Sequence, residues 1–254
     1  MKVVGVVSIK GGVGKTTISA NLSAALAARL GAGRVTVVDL DPQNGLAWHF
    51  GFNAREVQGI SHVAVGAADW HDVVLTSEFG VDCVPYGPVT EAEREEFERV
   101  LAADPNWIGS QLQAAGFDED SVILIDTPPG HSVYLQQVLE CGDLVLPVVL
   151  ADAGSSATLP TMETVLSDAT ARRPQLESAY IVNQADPDDP LSRDVIDLLR
   201  TVLGHRLAPT QVHLDESVRE ALAFQQPVLS YDVHGQASHD LDRLAIFVID
   251  ILSR

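Results

Sequence analysis

The sequence predicts a doubly wound α/β domain, a mostly parallel sheet flanked by helices on both faces, and three observations carry that expectation. Short, nearly continuous apolar runs recur at residues 3–9, 35–40, 81–84, 122–125, 144–150 and 180–182, each bounded by turn residues. Most segments between them repeat apolar side chains at helical spacing. The first run enters the first helical segment through a glycine-rich turn. Apolar runs without polar alternation belong to strands buried on both faces, and strands separated by helices pair in parallel. With 254 residues, 46% of them hydrophobic, the chain can bury a large core. Neither a linker nor an internal repeat divides it, so residues 1–254 are expected to form one domain.

The glycine-rich turn is Lys10-Gly11-Gly12-Val13-Gly14-Lys15-Thr16-Thr17, and it holds two of only three lysines in the chain. Ile18, Leu22 and Leu26 follow on one helical face, so the order is strand, loop, helix, as a P-loop requires. Glycines let successive backbone N–H groups of residues 11–17 turn onto phosphate oxygens, and the helix start adds its positive dipole end. Lys15 would reach the β- and γ-phosphates of ATP, and Thr16 would hold Mg²⁺. Asp39 and Asp41 end the second apolar run and Asp126 ends the fourth, at the strand ends where open α/β sheets collect ligands. Asp126 has the apolar-strand-plus-carboxylate form of a Walker B element, a Mg²⁺ partner. The turn Thr127-Pro128-Pro129-Gly130 after it is a candidate sensor of the terminal phosphate. Farther on, residues 91–99 read as an exposed helix with Glu95 and Arg99 paired four apart, and residues 186–190 as a rigid acidic surface loop. Asn183 ends the last apolar run with an amide.

Composition narrows the function. Sixteen basic against thirty-five acidic residues give a formal charge of −19, a field that repels DNA and anionic lipid. The final segment, residues 241–252, has Arg243 as its single internal cation and reads as a core-packing helix, not a membrane-lying one. Cys83 and Cys141 stand apart from each other and from histidine, as reduced structural thiols do. No apolar run approaches the roughly 18 residues that cross a bilayer. The expectation is a soluble cytoplasmic protein that binds nucleotide through local chemistry.

Lys10-Gly-Gly-Val-Gly-Lys15-Thr16 departs from the ordinary P-loop, which carries a glycine where Ile9 stands. In that form it resembles the deviant motif of the ParA/MinD family of dimerising P-loop ATPases. The segments Val37-Val-Asp39-Leu-Asp41-Pro-Gln43 and Ile125-Asp126-Thr-Pro-Pro resemble that family's two other signatures, in the expected order. The resemblance implies that Lys10 reaches across a nucleotide-dependent homodimer to the partner's nucleotide and that Asp41 orients the attacking water. It further implies that Asp39 supports Mg²⁺ and that Asn183 reads adenine. Where family members carry proline beside the base, this chain has His213. Residues 69–72, 81–87 and 212–228 extend the resemblance to the BcsQ group, ATPases of bacterial cellulose-secretion systems. That likeness implies slow ATP hydrolysis and cytoplasmic regulatory partners. It also implies docking at the membrane cellulose synthase through protein contacts. Chromosome or plasmid segregation, MinD-like spatial positioning and a constitutive nucleotide-bound scaffold are the alternatives.

Overall fold

The computed structural model describes residues 1–254, and the expected parallel sheet is its centre. Its strands are β1 (Lys2–Val7), β2 (Val35–Asp39), β3 (Leu75–Thr76), β4 (Val81–Val84), β5 (Val122–Asp126), β6 (Leu144–Leu150), β7 (Glu177–Ser178) and β8 (Ile181–Asn183). They lie in the order β3-β4-β2-β5-β1-β6-β7, with β8 also paired to β6. Every pairing is parallel except that of β3 with β4. From β1 the chain builds outward first through β2 and later through β6 on the other side. The loop after β1 therefore sits at the point where strand order reverses, where such sheets bind ligands.

Ten helices cover the two faces: α1 (Lys15–Leu30), α2 (Ile60–Ala64), α3 (Glu91–Ala103), α4 (Trp107–Ala115), α5 (Val133–Cys141), α6 (Ala153–Arg172), α7 (Pro190–Leu203), α8 (Glu216–Ala223), α9 (Val228–Tyr231) and α10 (Gln236–Leu252). Strand alternation divides the core. Val4 and Val6 of β1 join Ile18, Leu22 and Leu26 of α1 and Leu241, Leu244 and Val248 of α10. Val3 and Val7 face Phe97, Ile108, Leu135 and Val138 of α3, α4 and α5. Each such Leu or Val, wholly buried, contributes roughly 1.5–3 kcal/mol. Helix α5 presses close to β1 because Gly5 has no side chain; a Cβ there would fall 2.0 Å from Val138 Cγ1.

Several expectations are refined. Strand β1 ends at Val7, two residues early, because Ser8 turns back to bond the Lys10 carbonyl at 2.7 Å. Strands β3 and β7 are two-residue edges with too few apolar side chains to register as runs. Helix α1 is buried on more than the Ile18 face: Ala20, Ala24 and Ala27 on its other side are buried as well, and α10 packs against the helix. On α3 the partner of Arg99 is Glu96, three residues away at 2.6 Å, not Glu95. The acidic loop 186–190 is a helix start: Asp189 caps α7 by accepting from Leu191 N at 3.1 Å, and Pro190 occupies its first turn. The last segment packs against the core as expected, inside α10. No helix is long and apolar enough to cross a membrane.

Candidate functional site

The loop between β1 and α1 is shaped by glycine. Gly12 and Gly14 take φ of 76° and 85°, the left-handed region that side chains disfavour, and this turns the backbone over the start of α1. A Cβ on Gly14 would meet Asn183 Nδ2 at 2.4 Å, so the loop and the end of β8 are in close contact. Lys15 opens α1 and is 6% exposed. Burial pulls its ammonium below the usual lysine range, against the opposing pull of the Asp126 and Asp41 carboxylates. Such a cation is poorly solvated and unpaired at hydrogen-bond distance, ready for an anionic oxygen.

Asp126 stands at the end of β5, 0% exposed. Its Oδ2 accepts from Thr16 Oγ1 at 2.7 Å and its Oδ1 from Ser19 Oγ at 2.8 Å. Burial pushes this carboxyl up to about 6, although the two hydroxyls and Lys15 hold it down. The parallel register sets Asp39 of β2 directly beside it. Asp39 is also 0% exposed, and burial, then the neighbouring Asp126 charge, raises it well above the ordinary range. A hydroxyl touching a buried carboxylate of raised proton affinity is an all-oxygen donor set that suits a hard divalent cation such as Mg²⁺.

Asp39 has a further task in the structure. Its Oδ1 accepts from Asp41 N at 2.9 Å and its Oδ2 from Leu46 N at 3.1 Å, so it fixes the loop that carries Asp41. Asp41 is half-buried and receives Gln43 N on Oδ1 at 2.9 Å. The turn after β5 is tied to the same centre: Thr127 Oγ1 donates to Val6 O at 2.9 Å and Gly130 N to Ser8 O at 2.9 Å. The expected phosphate sensor is therefore already bonded through Gly130, and a terminal phosphate would have to displace the Ser8 carbonyl. Pro128 and Pro129 contribute no N–H at all.

The predicted residues separate into three groups. Gly11, Gly12, Val13, Gly14, Lys15, Thr16, Thr17, Asp39, Asp41 and Asp126 gather at the carboxyl ends of β1, β2 and β5. Lys10 is engaged elsewhere: its Nζ binds Asp152 Oδ2 at 2.6 Å on the same chain. Asp152 caps α6, accepting from Ser155 N at 2.6 Å. Burial alone would raise the Asp152 carboxyl, but the Lys10 ammonium and the Ser155 bonds outweigh it and hold the group below its usual range. Asn183, 5% exposed, donates Nδ2 to Val13 O at 2.9 Å and so braces the loop. The same side chain lines a cavity of about 110 Å³ with Thr17, Asn21, Val212, His213 and Leu222, a site the size of a heterocyclic base.

Ser19, Asp152 and Asp240 are the residues that sequence reasoning missed. Ser19 lies three residues after Thr16, which places both hydroxyls on one side of α1, a spacing that was readable. Asp152 follows β6 as Asp39 ends β2, so the strand-end rule would have found it had it been applied there. Asp240, which holds His213, left no signal, because the two meet only through tertiary packing.

Comparison with known proteins identifies the family and the fold. The family described as "Cellulose biosynthesis protein BcsQ" matches residues 1–249. The cellulose biosynthesis protein BcsQ of Escherichia coli (strain K12) is 29% identical over 247 residues, spanning 96% of this chain and 93% of its own. Among solved structures, the cell division ATPase MinD of Pyrococcus furiosus is similar with a TM-score of 0.76 at 25% identity, covering 98% of this chain and 99% of its own. The septum site-determining protein MinD of Pyrococcus horikoshii OT3, complexed with Mg-ADP, gives a TM-score of 0.77 at 23% identity, covering 99% and 97%.

Proposed function

The chain belongs to the BcsQ family, and from that premise we propose an ATP-binding, Mg²⁺-dependent switch that dimerises across its nucleotides. It hydrolyses ATP slowly and serves as an accessory or assembly factor of a bacterial cellulose synthase secretion complex. The observation that carries the chemistry is the 2.7 Å contact of Thr16 Oγ1 with buried Asp126, directly beneath a glycine loop that opens onto Lys15. Lys15 and the loop N–H groups would hold the phosphates, while Thr16 and Asp126 would hold the ion directly or through its water. Mg²⁺ bound there neutralises phosphate charge. Asp41, positioned by Asp39, would accept a hydrogen bond from the attacking water and orient it.

Lys10 gives the switch its dependence on a partner. A cation delivered to the transferring phosphate stabilises charge that develops in the transition state. In the single chain that cation is held by Asp152, so assembly requires Lys10 to leave its own carboxylate and enter the partner's site. The acidic surface argues against DNA as cargo and favours protein contacts with cytoplasmic regulatory subunits and the membrane synthase.

The reading is tested by size-exclusion chromatography with light scattering in ATP and Mg²⁺. Wild type is expected to elute as a dimer and to return to monomer after turnover. Asp41→Ala should bind ATP as wild type does, lose about 100-fold in hydrolysis and remain dimeric; Lys10→Ala should weaken the dimer. A wild type that stays monomeric with ATP and Mg²⁺ would sink the switch, and an Asp41→Ala protein whose dimerisation and partner capture are indistinguishable from wild type even after turnover is measured would point to the constitutive scaffold.

The Lys10–Asp152 pair makes a separate prediction. With side chains 33% and 39% exposed, the pair is partly screened and is worth about 0.2–1 kcal/mol. Asp152→Asn keeps an amide that caps α6 but removes the charge. Because each subunit of the dimer releases one such pair, it should tighten the ATP dimer about two- to thirty-fold, measured by the concentration dependence of sedimentation. An unchanged or weakened dimer would show that the tether does not oppose assembly.

A further inference from the structure

Beside the loop-bracing Asn183, the base-sized cavity has one wall of a different kind, the imidazole of His213. Residues 212–214 run parallel to the end of β8: Val212 N bonds Val182 O at 2.9 Å, and Leu214 N bonds Ala185 O at 3.0 Å. His213 thus stands at the carboxyl edge of the sheet, lining the cavity with Thr17 and Asn183. It also borders an adjoining cleft with Arg193 and Gln211.

The ring is not free to turn. Its Nδ1 lies 2.7 Å from Asp240 Oδ2, and the His213 backbone N–H donates to the same oxygen at 3.0 Å. Asp240 comes from α10 and is 1% exposed; its other oxygen accepts from Gln236 Nε2 at 2.8 Å. Placing a carboxylate at such depth is costly unless its oxygens are satisfied, and two of the three bonds here belong to one histidine. A carboxylate only accepts, so Nδ1 carries the hydrogen, and with one proton on the ring Nε2 is the acceptor. Buried polar atoms without partners in the molecule reduce to Ser217 Oγ, and the His213 side chain is 32% exposed, so Nε2 opens to the cavity side or to solvent.

We infer that His213, its tautomer set by Asp240, selects the base: Nε2 accepts from the exocyclic amino group of adenine and repels the carbonyl that guanine carries at the same place. The inference rests on the nucleotide-binding reading above and adds to it a specificity-determining residue, His213, and a positioning residue, Asp240. Sites that hydrogen-bond one group reject the analogue that lacks it, because their own polar atoms are then left unpaired.

The test is equilibrium binding of ATP and of GTP, each with Mg²⁺, to wild type, His213→Ala, Asp240→Ala and Asp240→Asn. Wild type should prefer ATP. His213→Ala should lower the ratio of ATP to GTP affinity about 10-fold, the scale of one lost hydrogen bond and one relieved repulsion. Asp240→Ala should lower it similarly, and Asp240→Asn, whose amide oxygen can still accept from Nδ1, should restore it. Equal weakening for both nucleotides in His213→Ala would overturn the inference, since a ring that only shapes the cavity moves both together. So would a wild type without preference. Failure of wild type to bind either nucleotide would instead overturn the nucleotide reading itself. Should Asp240→Ala not fold, the partly exposed His213→Ala decides the matter.

Discussion

Lys15→Ala is expected to lower ATP affinity by about 100- to 10,000-fold and to leave the protein monomeric at every nucleotide concentration reached in solution. The magnitude follows from two charge-assisted contacts to phosphate, each worth about 1.5–3 kcal/mol. Lys15 is 6% exposed, and burial has already lowered the proton affinity of its ammonium. Little water has to be removed from it when phosphate arrives, so its removal forfeits nearly the whole interaction. Neither other lysine can substitute, because Lys10 is engaged by Asp152 and Lys2 begins β1 at the opposite end of the sheet. Calorimetric titration with ATP and Mg²⁺ measures the effect. Affinity within 10-fold of wild type, in a variant of unchanged circular dichroism, would remove Lys15 from the phosphate site.

The second large effect concerns stability. In the nucleotide-free chain burial raises Asp126 to about 6, above an unfolded carboxylate near 3.8. The folded state therefore binds this proton more tightly than the unfolded state does. Its contribution to stability is fully present below about pH 4 and is lost as pH rises through about 6, on the order of 3 kcal/mol in all. Asp39, raised in the same direction by burial and by Asp126, adds a contribution of the same sign. Asp126→Asn should flatten that decline, leaving the nucleotide-free variant more stable than wild type at neutral pH while it binds Mg-nucleotide far more weakly. Urea unfolding of both proteins from pH 4 to 7 tests this, and parallel curves would refute it. The direction is that of a functional site: the carboxylate destabilises the empty protein and gains its partner only with the ligand.

Much of this site was readable because each part obeys a short-range rule. The glycine loop needs only residues 10–17, and Asp39, Asp41 and Asp126 follow apolar runs whose burial in a parallel sheet leaves no polar alternation to confuse them. The same rule extends to Asp152 after β6. Other features depend on tertiary packing. Gly130 lies in the expected turn, yet its N–H is bonded to Ser8 O, a contact set by the packing of two loops. Asn183 reads as a base contact only through the family resemblance, whereas the fold also bends the P-loop close enough for its amide to brace Val13. Edge strands β3 and β7 escape notice because two residues carry no periodicity. Asp240 is one of three acids in a helix whose apolar face announces packing alone, and its meaning appears only when α10 docks against the strand end that holds His213.

The bond between Lys10 and Asp152 places two rival acceptors in competition for one ammonium. The internal carboxylate is carried on the same chain, so its effective concentration is fixed by the fold and does not fall on dilution. The partner's nucleotide is a bimolecular rival, and its claim grows with the number of loaded subunits. In the proposed dimer this asymmetry makes assembly a sensor of local abundance: scattered chains keep their own lysine, and crowded chains exchange theirs.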